Sequence, residues 1–120
     1  MKKSTEFHDY VVYDVLGGIS GITSRAMFGG YGIYKNGEIF AIIADSELYF
    51  KVDENTVLDF KKLGSSQFTY KKKDGKKYAM NYWLLPEEIM EDKERLESWV
   101  FAATVTTPNK KSWHVMFANG

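Results

Sequence analysis

Five lysines crowd one seven-residue stretch, Lys71-Lys72-Lys73-Asp74-Gly75-Lys76-Lys77, and form the densest charge cluster of the chain. Cations spaced around an Asp-Gly turn could make a β-ribbon that contacts phosphates. If all five met phosphates of a duplex, log K would fall with log salt at a slope of about −4.5. The competing reading is a solvated hairpin tip whose lysines keep an edge strand from pairing with another chain. No aromatic side chain interleaves the lysines, no recognition helix is evident, and 16 basic residues balance 16 acidic ones. A neutral chain has no global field to steer it to DNA, so the hairpin tip is favoured and nucleic-acid contact through Lys71, Lys72, Lys73, Lys76 and Lys77 is the alternative.

Other reactive residue types are present without the spacing that chemistry needs. His8 and His114 are the two histidines, more than a hundred positions apart, and could share a metal only if the fold joined the two ends. Glu87, Glu88, Glu91, Asp92, Glu94 and Glu97 follow one another along one predicted helix. General acid–base work needs carboxylates facing across a cleft, and solvation with the helix dipole explains these. No serine sits in a G-x-S-x-G elbow, and Gly17-Gly18-Ile19-Ser20-Gly21 lacks the lysine of a phosphate loop. Cysteine is absent, which excludes thiolate nucleophiles, disulfides and cysteine-based clusters. The expectation is a non-enzymatic chain with no cofactor and no metal.

What remains is a surface. The run Arg25-Ala26-Met27-Phe28-Gly29-Gly30-Tyr31-Gly32-Ile33-Tyr34 puts three glycines beside aromatics in a segment read as a strand. Glycine weakens a strand, so its presence implies a bulge, a sharp coil or a close approach by another backbone. Phe28, Tyr31, Tyr34, Tyr82 and Trp83 are more aromatic residues than a core of this size should absorb. With Arg25 stacked on or beside them they form the candidate protein-binding surface; ordinary core and sheet packing is the alternative.

The elements that must carry these residues follow from periodicity. A first helix is predicted from Glu6 to about Leu16, capped by Ser4 or Thr5, with Phe7, Val11 and Val15 on its apolar face. Residues 19–23 read as a loop. Asn36-Gly37 is a hairpin turn because it supplies positive φ. Glu38 to Ala44 is predicted as a strand apolar on both faces, with Ile39, Ala41 and Ile43 on one and Phe40, Ile42 and Ala44 on the other. Asp45-Ser46 turns into a half-buried strand, Glu47 to Val52. A short helix capped by Asp53 or Asn55 ends at Gly64. A second hairpin turns at Asp74-Gly75, and Pro86 opens a last helical region that Asp92 restarts, with Leu96, Trp99, Val100 and Ala103 on one stripe.

The order is α-β-β-β-α-β-β-α. Hairpins join most strands, so the fold class is α+β: one largely antiparallel five-stranded sheet with helices mainly on one face. A length of 120 residues with 44% hydrophobic residues fits one globular domain, read as residues 5–104 with a C-terminal tail over 105–120. No stretch has signal-peptide or membrane-spanning length, so a cytoplasmic chain is expected. The strand 38–44 and the apolar tail segment Trp113 to Phe117 both need cover. A homodimer with the tail contributing to the contact is therefore favoured.

Five segments in register carry a family resemblance. They are Arg25 to Gly32, Phe40-Ala41-Ile42-Ile43-Ala44-Asp45, Leu48-Tyr49-Phe50-Lys51-Val52-Asp53, Phe68-Thr69-Tyr70, and Met80-Asn81-Tyr82-Trp83 followed by Leu85-Pro86-Glu87-Glu88. Together they resemble the TfoX N-terminal domain family, named for a regulator of bacterial competence. The resemblance implies a single-sheet α+β fold similar to that of bacterial secretion chaperones, which often pair into dimers. It also implies a place near competence control, where the namesake acts with the cyclic-AMP receptor protein at promoters and carries an additional C-terminal domain. A protein partner, transcription machinery included, is thus expected.

Overall fold

The first described element is a short helix, α1 (Thr5–Asp9), which widens into a π-helical turn over Tyr10–Val15. The computed structural model describes residues 5–27 and 29–105. Phe28 and the segment 106–120, including the expected docking of Trp113 to Phe117, lie outside the described residues. The π turn departs from the uninterrupted helix expected from the sequence. The Leu16 N–H donates to the Val11 carbonyl five residues back, at 2.9 Å. That spacing brings positions five apart over one another, and Val11 and Leu16 are both fully buried while Tyr10 and Tyr13 stay exposed.

Six strands follow: β1 (Ile22–Met27), β2 (Gly30–Lys35), β3 (Glu38–Ala44), β4 (Glu47–Lys51), β5 (Gln67–Lys71) and β6 (Lys77–Leu84). They form one sheet in the order β1-β2-β3-β4-β6-β5, every neighbouring pair antiparallel. The α+β class and the antiparallel sheet are as the sequence implied, and the strand count rises from five to six. Residues 22 and 23, expected in a loop, pair with Lys35 and Tyr34. The glycine-rich run is therefore two strands, with a turn at Gly29, whose φ of +79° suits a residue without a β-carbon. Two tight hairpins hold the middle of the sheet. One uses Asn36 and Gly37, and the other uses Asp45 and Ser46, both at positive φ without a glycine.

A bulge in β3 reassigns its faces. Ile33 pairs with Ala41 and Tyr34 with Ile39, so Phe40 is the extra residue. Strict alternation would put Phe40 with Ile42. Instead, Phe40, Ala41 and Ile43 join one buried cluster, and Ile39 and Ile42 join another on the opposite face. The bulge thereby sets the Phe40 ring edge-on to Phe50, 5.4 Å between centroids.

The remaining helices are α2 (Val57–Lys62), α3 (Glu87–Met90) and α4 (Lys93–Thr104). Phe60, Ile89, Leu96, Val100 and Ala103 from these helices pack with Val11, Leu16, Ile33, Leu48 and Phe50. Pro86 precedes α3, and the Asp92 side chain accepts the Arg95 N–H to start α4. The α4 stripe is as expected, except that Trp99 is only half-buried, edge-on to Phe60 at 4.7 Å. Among the described residues every helix contributes to this one cluster, and the cluster on the other face is built from strand residues alone. No described helix is long and apolar enough to cross a membrane.

Two local features generate tests. A β-carbon on Gly30 would lie 2.1 Å from the Ile43 carbonyl oxygen, and neighbouring strand backbones cannot give way cheaply. Gly30→Ala should therefore cost about 1–3 kcal/mol as overpacking does, read by urea melts; an unchanged midpoint would contradict the close approach. The Asp53 carboxylate accepts N–H bonds from Asn55 and Thr56 at 2.8 and 2.7 Å, and Thr56 Oγ1 accepts the Asp53 N–H at 2.9 Å. The Thr56 N–H above all holds Asp53 below its ordinary carboxyl pKa. A depressed folded pKa stabilises above the unfolded value and is lost as pH falls through the folded one. Asp53→Ala should cost about 1 kcal/mol near neutrality, with the gap to the unmutated chain closing as pH drops below about 4.

Candidate functional site

The side chains of β1–β6 alternate between a helix-covered face and one, the open face below, that no helix covers among the described residues, and this alternation divides the residues singled out in the sequence. Arg25 pairs with Gly32 in the register of β1 and β2, on the open face, and Tyr34 lies there too, opposite Ile39. A β-carbon on Gly32 would meet Met27, Ile39 and Tyr34 side-chain atoms at 2.9–3.3 Å. These three side chains therefore close over the glycine, beside the exposed Arg25. Tyr82 is on the same face but fully buried, in the cluster with Ile42 and Met80. Tyr31 and Trp83 belong to the helix-covered side, where Lys61 Nζ sits 6.0 Å from the Trp83 ring centre. The structure thus sets Arg25 and Tyr34 on one face of neighbouring strands, two residues out of register, sets Tyr82 deeper in the same face, and parts Tyr31 and Trp83 from them. Phe28 lies outside the described residues.

At the other end of the open face stands the lysine hairpin. Asp74 accepts the Lys76 N–H and the Tyr78 hydroxyl, both at 2.8 Å. These bonds, the Lys76 N–H foremost, hold its carboxyl below the usual range, and the bond to Asp74 raises Tyr78. The sequence showed no aromatic between the lysines, but the ladder supplies aromatics on either side of them. Tyr70 pairs with Tyr78, their rings 5.8 Å apart and 29° from parallel. Phe68 stacks on Tyr70 at 6.3 Å, and Tyr49 meets Phe68 edge-on at 4.9 Å. Burial, together with the Glu47 carboxylate that accepts its hydroxyl at 3.3 Å, pushes the Tyr49 pKa up to about 12. Lys72 Nζ lies 4.9 Å over the Tyr78 ring. The period-two pattern of Phe68, Tyr70 and Tyr78, Met80, Tyr82 was the signal in the sequence. Only the strand register shows that all five share a face.

His8 takes a role the sequence did not suggest. Its Nδ1 is 2.9 Å from Asp9 Oδ1 and its Nε2 2.8 Å from Ser24 Oγ, with the ring against that of Tyr31, centroids 4.2 Å apart and planes tilted by 36°. An Asp–His–Ser chain is the arrangement of a hydrolase triad. Ser24, however, lies mid-strand in regular pairing with Ile33, not on a strained turn that would present its hydroxyl to a substrate. The chain of bonds clamps α1 to the sheet. His114 lies outside the described residues. A cavity of about 200 Å³ between α2 and α4 is lined by Phe60, Trp99, Thr56, Asp59 and Ser98 among others. No group of three or more potential metal-ligating side chains occurs among the described residues.

The face opposite the described helices thus has two chemically distinct ends, one of arginine, tyrosine and methionine, the other of stacked rings and lysines. Over 96 residues the chain is 27% identical to Protein Sxy of Escherichia coli (strain K12), covering 80% of this chain and 46% of that protein. It therefore spans about half the length of that relative. The profile of the TfoX N-terminal domain matches residues 14–105, from the π turn through α4, and the chain belongs to the TfoX N-terminal domain family.

Proposed function

We propose that this domain is a non-catalytic regulator that works in the cytoplasm by binding another protein, in the control of competence or transcription. The observation that carries the reading is the one-sided sheet. All described helices pack on one face, while the other presents half-buried apolar and aromatic side chains. Apolar area of this kind gains about 25 cal/mol per Å² when a partner removes it from water. Arg25, Met27 and Tyr34 supply the contact: a guanidinium beside an aromatic and a flexible thioether are the residue types that interface centres favour. Membership of the family supports the regulatory role, since its namesake regulates competence. Self-association, with one face of the sheet covering another, is the simplest form of this binding.

Arg25→Glu combined with Tyr34→Ala should leave the fold intact, because both sites are at or near the surface. The pair should abolish any stoichiometric complex that the full chain forms in gel filtration at physiological salt, whether with a copy of itself or with a purified regulatory protein. Tyr13→Ala, on the π turn away from this face, should have no effect. A complex that survives the double variant but is lost with Tyr13→Ala would overturn the assignment.

A further inference from the structure

The hairpin of β5 and β6 projects beyond the helix layer. Thr69, Ala79 and Asn81, on the side where the helices pack, are exposed. On its open side it carries the ring ladder Phe68–Tyr70–Tyr78, each ring half-buried and so held in place with part of its surface in water. Strand alternation puts Lys72 and Lys76, which are joined by a backbone bond across the turn, on that same side. Five lysines and one aspartate leave residues 71–77 with a net charge of +4. That aspartate is already engaged by the Lys76 N–H and the Tyr78 hydroxyl. The ligand that fits is anionic at regular intervals and planar between them.

We propose that the open side of the β5–β6 hairpin is a binding site for single-stranded nucleic acid. Unpaired bases stack along Phe68, Tyr70 and Tyr78, displacing Lys72 from its place over the Tyr78 ring so that it joins Lys73 and Lys76 in meeting the flanking phosphates. A duplex offers this site only its phosphates, because its base faces are covered by their neighbours; a single strand offers both. The overall neutrality of the chain does not oppose the site, since the field that matters is the local one at the hairpin. The site lies at the end of the open face away from Arg25 and Tyr34, so it stands or falls apart from the protein-binding role.

The test is fluorescence anisotropy of the full chain with a labelled oligothymidylate of about 12 nucleotides, within the ~4–16 that a groove of this kind occupies. The same titration is run with a blunt duplex of equal length and with polyglutamate as competitor. Binding should favour the single strand at low salt and weaken with salt at a slope of about −2, as three phosphate contacts require. Tyr70→Ala should weaken it at least about fivefold, as the loss of one stacking partner does, while Tyr70→Phe should retain it. Lys72→Glu with Lys76→Glu should abolish it. These lysine variants alter only residues at the hairpin tip, so they keep the test decisive should Tyr70→Ala unfold. No binding at low salt, equal binding of duplex and single strand, or displacement by polyglutamate as effective as by the oligonucleotide would each overturn the proposal.

Discussion

β3 passes so close beneath Gly30 that a β-carbon there would lie 2.1 Å from the Ile43 carbonyl oxygen, and much of the domain follows from that approach. It lets β2 lie tightly across β3 while Tyr31 points to the helix side, where its ring packs against His8, and Gly32 leaves room on the other. Into that room close Met27, Ile39 and Tyr34. The bulge at Phe40 is the second half of the device. One extra residue turns a strand that is apolar on both sides so that Phe40, Ala41 and Ile43 feed the helix-side core and Ile39 and Ile42 line the open face. With the helices committed to one side, burial on the other depends on the strands' own large side chains. Tyr82 and Met80 fill its centre and Tyr49 and Phe68 roof its flank.

The two ends of the open face inherit different chemistry from their neighbours in the chain. Near β1 the strands are glycine-rich and the surface side chains are Arg25, Met27 and Tyr34. Near β5 the strands alternate aromatics with polar residues and run into a lysine-rich turn. A single apolar face would argue for one partner. A face whose centre is buried and whose ends differ in charge and shape leaves the two contacts proposed above free of competition with each other.

Much of this was legible in the sequence because turns and amphipathic stripes are local signals. Asn36-Gly37, Asp45-Ser46 and Asp74-Gly75 marked the hairpins, and Leu96, Val100 and Ala103 gave the phase of the last helix. The misses are all non-local. The strand character of residues 22 and 23 depends on Lys35 and Tyr34 across the ladder. The bulge at Phe40 leaves no trace in a stretch that is apolar throughout, and the π turn serves two burial positions that an α-helix would have set apart. For the site, residue types were legible but their facing was not. The lysine cluster is visible in one stretch, but its aromatics flank it, at Tyr70 and Tyr78, and meet only when the hairpin closes.

The central claim is that the face of the sheet opposite the helices is open to solvent and to ligands in the full chain. Hydroxyl-radical footprinting tests it most directly, because the tyrosines provide an internal scale. Tyr13 is 68% exposed and Tyr82 fully buried, so they set the fast and slow limits. The account predicts that Tyr34, Tyr70 and Tyr78 are modified at rates between those limits and well above that of Tyr82. Rates as slow as Tyr82 at all three positions, at a concentration where sedimentation shows a monomer, would mean that the chain covers its own face, and would contradict the account.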